Sequence, residues 1–194
     1  MNELIVDYYK WYIDNVSGDT ANPQIVGWIN KFSQYVRFKV LLSIGVKSGD
    51  SVLDYGCGVG HLVEYLNEAK LDVNYTGMDI NPTFIDMAQN ANPERKFVIS
   101  DYNNIEDNYD WIVASGVFTI AFSLEEIVNA VDILLQKANK GVAFNFLLQK
   151  EELKYSPFNT FDPEHMLAIF QSLYPNVQLI TDYTDDDFSI HILK

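Results

Sequence analysis

An alternating α/β fold is predicted, a doubly wound and mostly parallel sheet preceded by helices. Three observations predict it. Short apolar strands alternate with helical segments from residue 50 onward, the pattern of a parallel sheet wrapped by helices. The first of these strands runs straight into the glycine-rich stretch Gly56-Cys57-Gly58-Val59-Gly60 and then a helix. Near the C-terminus two strands are joined by a tight acidic link, which requires them to be antiparallel.

Residues 1–46 read as an N-terminal helical cap on a core spanning 47–194, the whole forming one domain. Leu4, Tyr8, Trp11 and Tyr12 fall at helical spacing. A polar break with Gly18 and Pro23 follows, and a second helix is expected from about Pro23 to Ile44, with Ile29, Phe32, Val36 and Val40 on one face. In the core, Ser51–Asp54 is the first strand and His61–Lys70 a helix. Val73–Met78 is the second strand, and Asn81-Pro82 starts a helix with proline in its first turn. Phe97–Ile99 and Asp110–Ala114 are strands three and four, Leu124–Ala138 an apolar-periodic helix, and Val142–Leu148 strand five. Asp162-Pro163-Glu164 caps a helix ending near Tyr174. Strands near Val177–Asp182 and Phe188–Leu193 complete a seven-stranded sheet, with Asp185–Asp187 as a solvated turn between them.

The chain has 194 residues and a formal net charge of −14, unevenly divided: residues 1–100 carry −4 and residues 101–194 carry −10. No basic face for phosphate contacts is apparent, so nucleic acid is not an expected partner, and anionic membranes are disfavoured for the same reason. The longest apolar stretches are far shorter than a membrane span. One cysteine, and an N-terminus without the charge order of a signal peptide, fit a cytoplasmic protein.

Ligands of such sheets bind beyond the carboxyl ends of the strands, where strand order reverses, and the informative residues lie there. Glycines let a backbone turn sharply and approach a ligand closely. The spacing here is G-x-G-x-G with His61 next, whereas a dinucleotide fingerprint places its third Gly or Ala one residue later. Asp79 ends the second strand, 21 residues beyond Gly58, where an acid can accept from both hydroxyls of a ribose. Asp101, followed by Tyr102, comes just after the third strand, where a carboxylate can accept from an adenine amino group while Ile80 packs on the ring. Ser115-Gly116-Val117-Phe118 ends the fourth strand and lines the space between cofactor and acceptor.

Asp54–Gly60, Asp79, Asp101 and Asp110–Phe118 together resemble the class I S-adenosylmethionine-dependent methyltransferases, over roughly residues 47–194. Gly18-Asp19, Val26-Gly27-Trp28 and Gln34–Phe38 are similar to the N-terminal helices of small bacterial and phage members. The resemblance implies a Rossmann-like sheet and S-adenosyl-L-methionine as cofactor. It gives Asp54 the amino-acid end and the loop, and the loop itself to Gly56, Cys57, Gly58 and Gly60. Asp79 takes the ribose, Asp101 and Tyr102 the adenine side, and Ser115 and Gly116 the wall toward the acceptor. Trp28 and Arg37 close over the cofactor, with Arg37 near its carboxylate.

Absent motifs narrow the reaction. The fourth strand lacks the Asn/Asp-Pro-Pro-aromatic sequence of exocyclic-amine DNA enzymes, and Cys57 lies in the glycine loop rather than beside a proline. The stretch 116–124 holds no acidic metal ligands, so neither covalent nor metal-assisted chemistry is expected. In-line displacement to a small molecule or a protein side chain remains, with Tyr155, His165 and His61 as candidate bases. A non-catalytic binding or scaffold module is the alternative, with a nicotinamide oxidoreductase and an aminopropyl transferase behind it. His191 reads as structural and Cys57 as a small filler. The aromatics of the N-terminal segment (Tyr8, Tyr9, Trp11, Tyr12, Trp28, Phe32, Tyr35), with Tyr155, Phe158 and Phe161, either form core or line an acceptor pocket.

Overall fold

The computed structural model describes residues 2–15, 20–150, 153 and 157–194. Tyr155 and the Gly18-Asp19 pair lie outside the described residues, as does the side chain of Leu4. Helix α1 covers Asn2–Asn15, a 3-10 turn Pro23–Val26, and α2 Lys31–Leu42. The core then alternates: β1 Ser51–Tyr55, α3 His61–Glu68, β2 Asn74–Asp79, α4 Pro82–Ala91, β3 Lys96–Ile99 and β4 Tyr109–Ala114. It continues with α5 Leu124–Lys137, β5 Ala138–Leu148, β6 Thr160–Phe161, α6 Pro163–Leu173, β7 Val177–Ile180 and β8 Asp187–Leu193.

The sheet runs β3-β2-β1-β4-β5-β8-β7, with β6 beside β5. Strands β1 to β6 pair in parallel, while β8 is antiparallel to both β5 and β7. Strand order reverses between β1 and β4, which places the crevice of a doubly wound sheet at their carboxyl ends. The sheet has eight strands rather than the expected seven, because Thr160–Phe161 is too short to carry a period-2 signal.

Period-2 alternation splits the core between the two faces. Leu53, Ile112, Val142, Phe144 and Ile190 join one core with α5 and α6, whereas Val52, Trp111, Val113 and Ala143 join another with α2 and α3. A small third cluster of Ile25, Val59 and Phe84 ties α1 and the 3-10 turn to α4.

Helix starts follow the sequence. The side chains of Asn81 and Asp162 cap α4 and α6 ahead of a proline. Ser123 and Glu126 form a capping box on α5. The expected helix from Pro23 to Ile44 is instead broken: Gly27, at φ +83°, ends the 3-10 turn, and Asn30 caps a fresh start. Its buried face also differs. Ile29 and Phe32 are 74% and 80% exposed, while Gln34, Arg37, Phe38 and Leu41 face inward. A polar face turns inward here because Gln34 meets His61 and Arg37 meets Asp187, so neither is buried without a partner. The Asp185–Asp187 turn is likewise not all solvated, since Asp187 is 2% exposed and opens β8.

Candidate functional site

The carboxyl ends of β1, β2 and β4, the segments after β3 and β4, α1 and the α2 region surround one cavity of about 1130 Å³, open solvent at its mouth included. Its geometry starts from the turn after β1. Gly56 and Cys57 both donate their N–H to Met78 O, at 2.7 and 3.0 Å, anchoring the loop to β2. Gly56, Gly58 and Gly60 have φ of +77°, +53° and +85°, a region in which L side chains are strained. A Cβ on Gly58 would lie 2.7 Å from Val26 Cγ1, and one on Gly56 would lie 2.4 Å from Val117 Cγ2. The loop is therefore closed down on both neighbouring segments.

Three carboxylates border the cavity from adjacent strands. Asp54 is 3% exposed, and Tyr75 donates its hydroxyl to Asp54 Oδ2 at 2.8 Å. Burial pushes the Asp54 carboxyl up to about 7 against the pull of Tyr75, and the nearby Asp79 charge adds to the rise. Asp79 accepts from Gly58 N at 2.9 Å and from Asn81 N at 2.9 Å, so one side chain fixes both the glycine loop and the start of α4. Burial raises its pKa as well, and these backbone donors oppose the rise. Asp101 accepts on a single oxygen, Oδ1, from Asn103 N and Asn104 Nδ2. On the β4 side, the Ser115 hydroxyl is buried and has no hydrogen-bond partner among the described residues. Gly116 adopts the left-handed conformation, and a Cβ there would lie 2.9 Å from Trp28 Cζ2.

Of the residues singled out in sequence, Trp28, Asp54, Gly56, Cys57, Gly58, Asp79, Ile80, Asp101, Tyr102, Ser115 and Gly116 border this cavity. Gly60 and Arg37 do not. Gly60 caps α3, and its open side faces Phe97 and Asn92. Arg37 is buried in an ion pair with Asp187, donates to Ser33 O and Oγ, and carries the Trp28 ring 4.6 Å from its guanidinium carbon.

The candidate bases are not on the cavity wall among the described residues. His61 is held by Gln34 Nε2 at 3.0 Å and Thr20 O at 2.6 Å. His165 is exposed in the first turn of α6. Most of the aromatics divide between packing and solvent rather than building an acceptor pocket. Tyr8 packs on both Tyr12 and Phe158, Phe161 packs on Phe146, and Trp11 and Phe32 are exposed. Among the described residues, only Tyr9 and Trp28 from that set reach the cavity. Sequence reading missed Ile5, Gln34, Phe38, Phe84, Ile120 and Phe122 as wall residues. Ile5 with Tyr9, and Gln34 with Phe38, are i, i+4 pairs, a signal obscured by the louder aromatic stripes on the other faces.

A family model described as "Methyltransferase domain" matches residues 53–142, from β1 through the glycine loop and all three carboxylates into β5. A Mycobacterium tuberculosis protein, Rv1506c, provisionally named a methyltransferase, is 27% identical over 161 residues, covering 74% of this chain and 93% of that one. In sequence over that stretch, the chain is similar to the methyltransferases. Among solved members of this fold, magnesium protoporphyrin IX methyltransferase from Synechocystis PCC 6803, crystallised with bound S-adenosylhomocysteine, superposes with a TM-score of 0.71 at 17% identity, over 100% of both chains. The N-methyltransferase NodS from Bradyrhizobium japonicum WM9, also in complex with S-adenosylhomocysteine, gives 0.68 at 16% identity, over 98% of both chains. At such identities the likeness is one of fold, and the Rossmann-like sheet with its antiparallel end is that of the methyltransferases.

Proposed function

We propose that this chain is a class I methyltransferase that binds S-adenosyl-L-methionine in the cavity at the β1–β4 switch point and transfers its methyl group by in-line displacement to a small molecule or an inserted protein side chain. One observation carries the reading: Asp54, Asp79 and Asp101, from the ends of adjacent strands, converge on a single cavity with the glycine loop. The residues fit a nucleoside with a cationic amino-acid end. Asp79, already fixed by two backbone N–H groups, accepts from the ribose hydroxyls. Asp101 accepts from the adenine amino group, with Ile80 and Tyr102 beside the ring. Asp54 faces the amino end, and the unpartnered Ser115 hydroxyl is satisfied by a ligand atom.

When bound, S-adenosylmethionine supplies a methyl group already activated on a sulfonium. The protein then contributes alignment, proximity and exclusion of water rather than a new bond of its own. Ile5, Tyr9, Trp28, Val117, Ile120 and Phe122 supply apolar and aromatic wall for that purpose.

Asp79→Ala tests the reading. Titration calorimetry with S-adenosylhomocysteine is expected to show binding to the parent chain and none to the variant, with both cooperatively folded. Undiminished binding by the variant overturns the ribose assignment.

A further inference from the structure

Behind and along the cavity wall lies a closed ring of five groups from five parts of the chain, of which Arg37, Asn145 and Asp187 are buried. Arg37 on α2 pairs through Nε with Asp187 Oδ2 at the start of β8, their side chains 4% and 0% exposed. Asn145 on β5 donates Nδ2–H to the same Asp187 Oδ2 at 3.0 Å. The other end of that amide, Oδ1, accepts from the N–H of Gly116 at 2.8 Å. Gly116 packs against Trp28, and Trp28 lies on the Arg37 guanidinium, which closes the ring. Trp28 and Gly116 border the cavity, whereas Arg37, Asp187 and Asn145 do not.

Each link has a direction. Asn145 satisfies the Gly116 N–H only while its amide oxygen points that way, and Asp187, which can only accept when ionised, fixes that orientation by drawing the NH2 end. Removing the carboxylate frees the amide to flip and leaves the guanidinium uncompensated. A buried ion pair adds little net stability over apolar packing, and this one leaves Asp187 Oδ1 buried without a hydrogen-bond partner among the described residues. What the arrangement does secure is position: the left-handed turn at Gly116, φ +71°, and the plane of the Trp28 ring over it.

We propose that Arg37, Asp187 and Asn145 are positioning residues that hold the Trp28–Gly116 wall and thereby set how tightly the cavity grips its nucleoside ligand. The proposal rests on the S-adenosylmethionine reading for the identity of that ligand. It does not rest on it for the mechanical link, which the Gly116 amide reports directly.

The test breaks the ring at two of its links. Asp187→Asn keeps the shape, but the one position that accepts from both Arg37 and Asn145 then holds either an oxygen with no charge or an NH2 that accepts from neither. Asn145→Ala removes the bond to Asp187 and the acceptor of the Gly116 N–H together. Each single variant is expected to weaken S-adenosylhomocysteine binding by about tenfold, the cost of one charged hydrogen bond. Because the two act through one chain of contacts, the double variant is expected to lose no more than about threefold beyond the weaker single, the non-additivity of a coupled pair. Val131→Ala, in the α5 core, lowers stability without moving the affinity. In 15N–1H spectra the Gly116 amide resonance shifts in each single variant. Should Asp187→Asn not fold, Arg37→Lys, which keeps the charge and loses the planar stack on Trp28, carries the comparison. Single variants that bind like the parent, losses that add in full in the double, or a Gly116 resonance unmoved by Asp187→Asn overturn the proposal. A parent chain that fails to bind S-adenosylhomocysteine overturns the cofactor reading instead, and the Gly116 resonance still decides the positioning role.

Discussion

Replacing Tyr75 by phenylalanine removes one oxygen from the interior and separates the electrostatics of the cavity from its shape. Tyr75 is 4% exposed, and its hydroxyl donates to Asp54 Oδ2 at 2.8 Å. A hydrogen bond to a charged group contributes about 1.5–3 kcal/mol. For a chain of this size each kcal/mol moves the thermal midpoint by roughly 2–4 °C, so the variant should melt about 3–12 °C lower at pH 8, where Asp54 is ionised. At pH 5 the acid is protonated and the loss should shrink toward that of a neutral bond, about 0.5–1.5 kcal/mol. Without the donor the Asp54 carboxyl rises beyond about 7, because burial and Asp79 then act with less opposition. If the ionised carboxylate faces the amino end of the cofactor, affinity increases with pH through the Asp54 pKa and levels above it. The variant should therefore bind several-fold more weakly near pH 7 and recover at higher pH; a rise of one pH unit corresponds to about 1.4 kcal/mol. Calorimetric titration with S-adenosylhomocysteine from pH 6 to 8.5 follows the midpoint directly. A midpoint that stays where the parent has it would refute the coupling between Tyr75, Asp54 and the ligand.

Two further outcomes follow from the same groups. Asp54→Asn removes a carboxyl held up from 3.8 to about 7. The folded state keeps that proton across this window while the unfolded chain loses it, so the parent's stability from Asp54 is full below about pH 4 and is lost as pH rises to about 7. The stability advantage of the variant should grow across this range by up to about 1.4 kcal/mol per pH unit in urea unfolding, while cofactor affinity falls; a flat difference would mean that Asp54 titrates normally. Gly116→Ala places a methyl 2.9 Å from the Trp28 ring at φ +71°. It should cost about 1–2 kcal/mol from the backbone alone and weaken cofactor binding as well, and unchanged affinity would show that the Trp28 contact is not part of the binding wall.

Much of this site was legible because its signals are local. A glycine at a left-handed φ, or an aspartate at the last residue of a strand, declares itself from its immediate neighbours, and Gly58, Asp79 and Asp101 could be placed on the crevice that way. Arg37 could not, because its partner Asp187 is 150 residues away in sequence and looked like one acid in a solvated run. The inward face of α2 was misread for the same reason: Gln34 and Arg37 are acceptable in the interior only once His61 and Asp187 are there to meet them. The apolar residues at 29 and 32 gave a helical stripe that the chain leaves in solvent. The break at Gly27 was legible in principle, since a glycine followed by the capping residue Asn30 marks a helix restart.

Whether the crevice binds S-adenosylmethionine is decided by thermal unfolding of the chain with S-adenosylmethionine, S-adenosylhomocysteine and NADH in parallel. A ligand at 100 times its dissociation constant adds about 2.7 kcal/mol, which should raise the midpoint by roughly 5–11 °C with the first two ligands and leave it unmoved with NADH. A shift with NADH alone, or with none of the three, would contradict the assignment of the crevice to this cofactor.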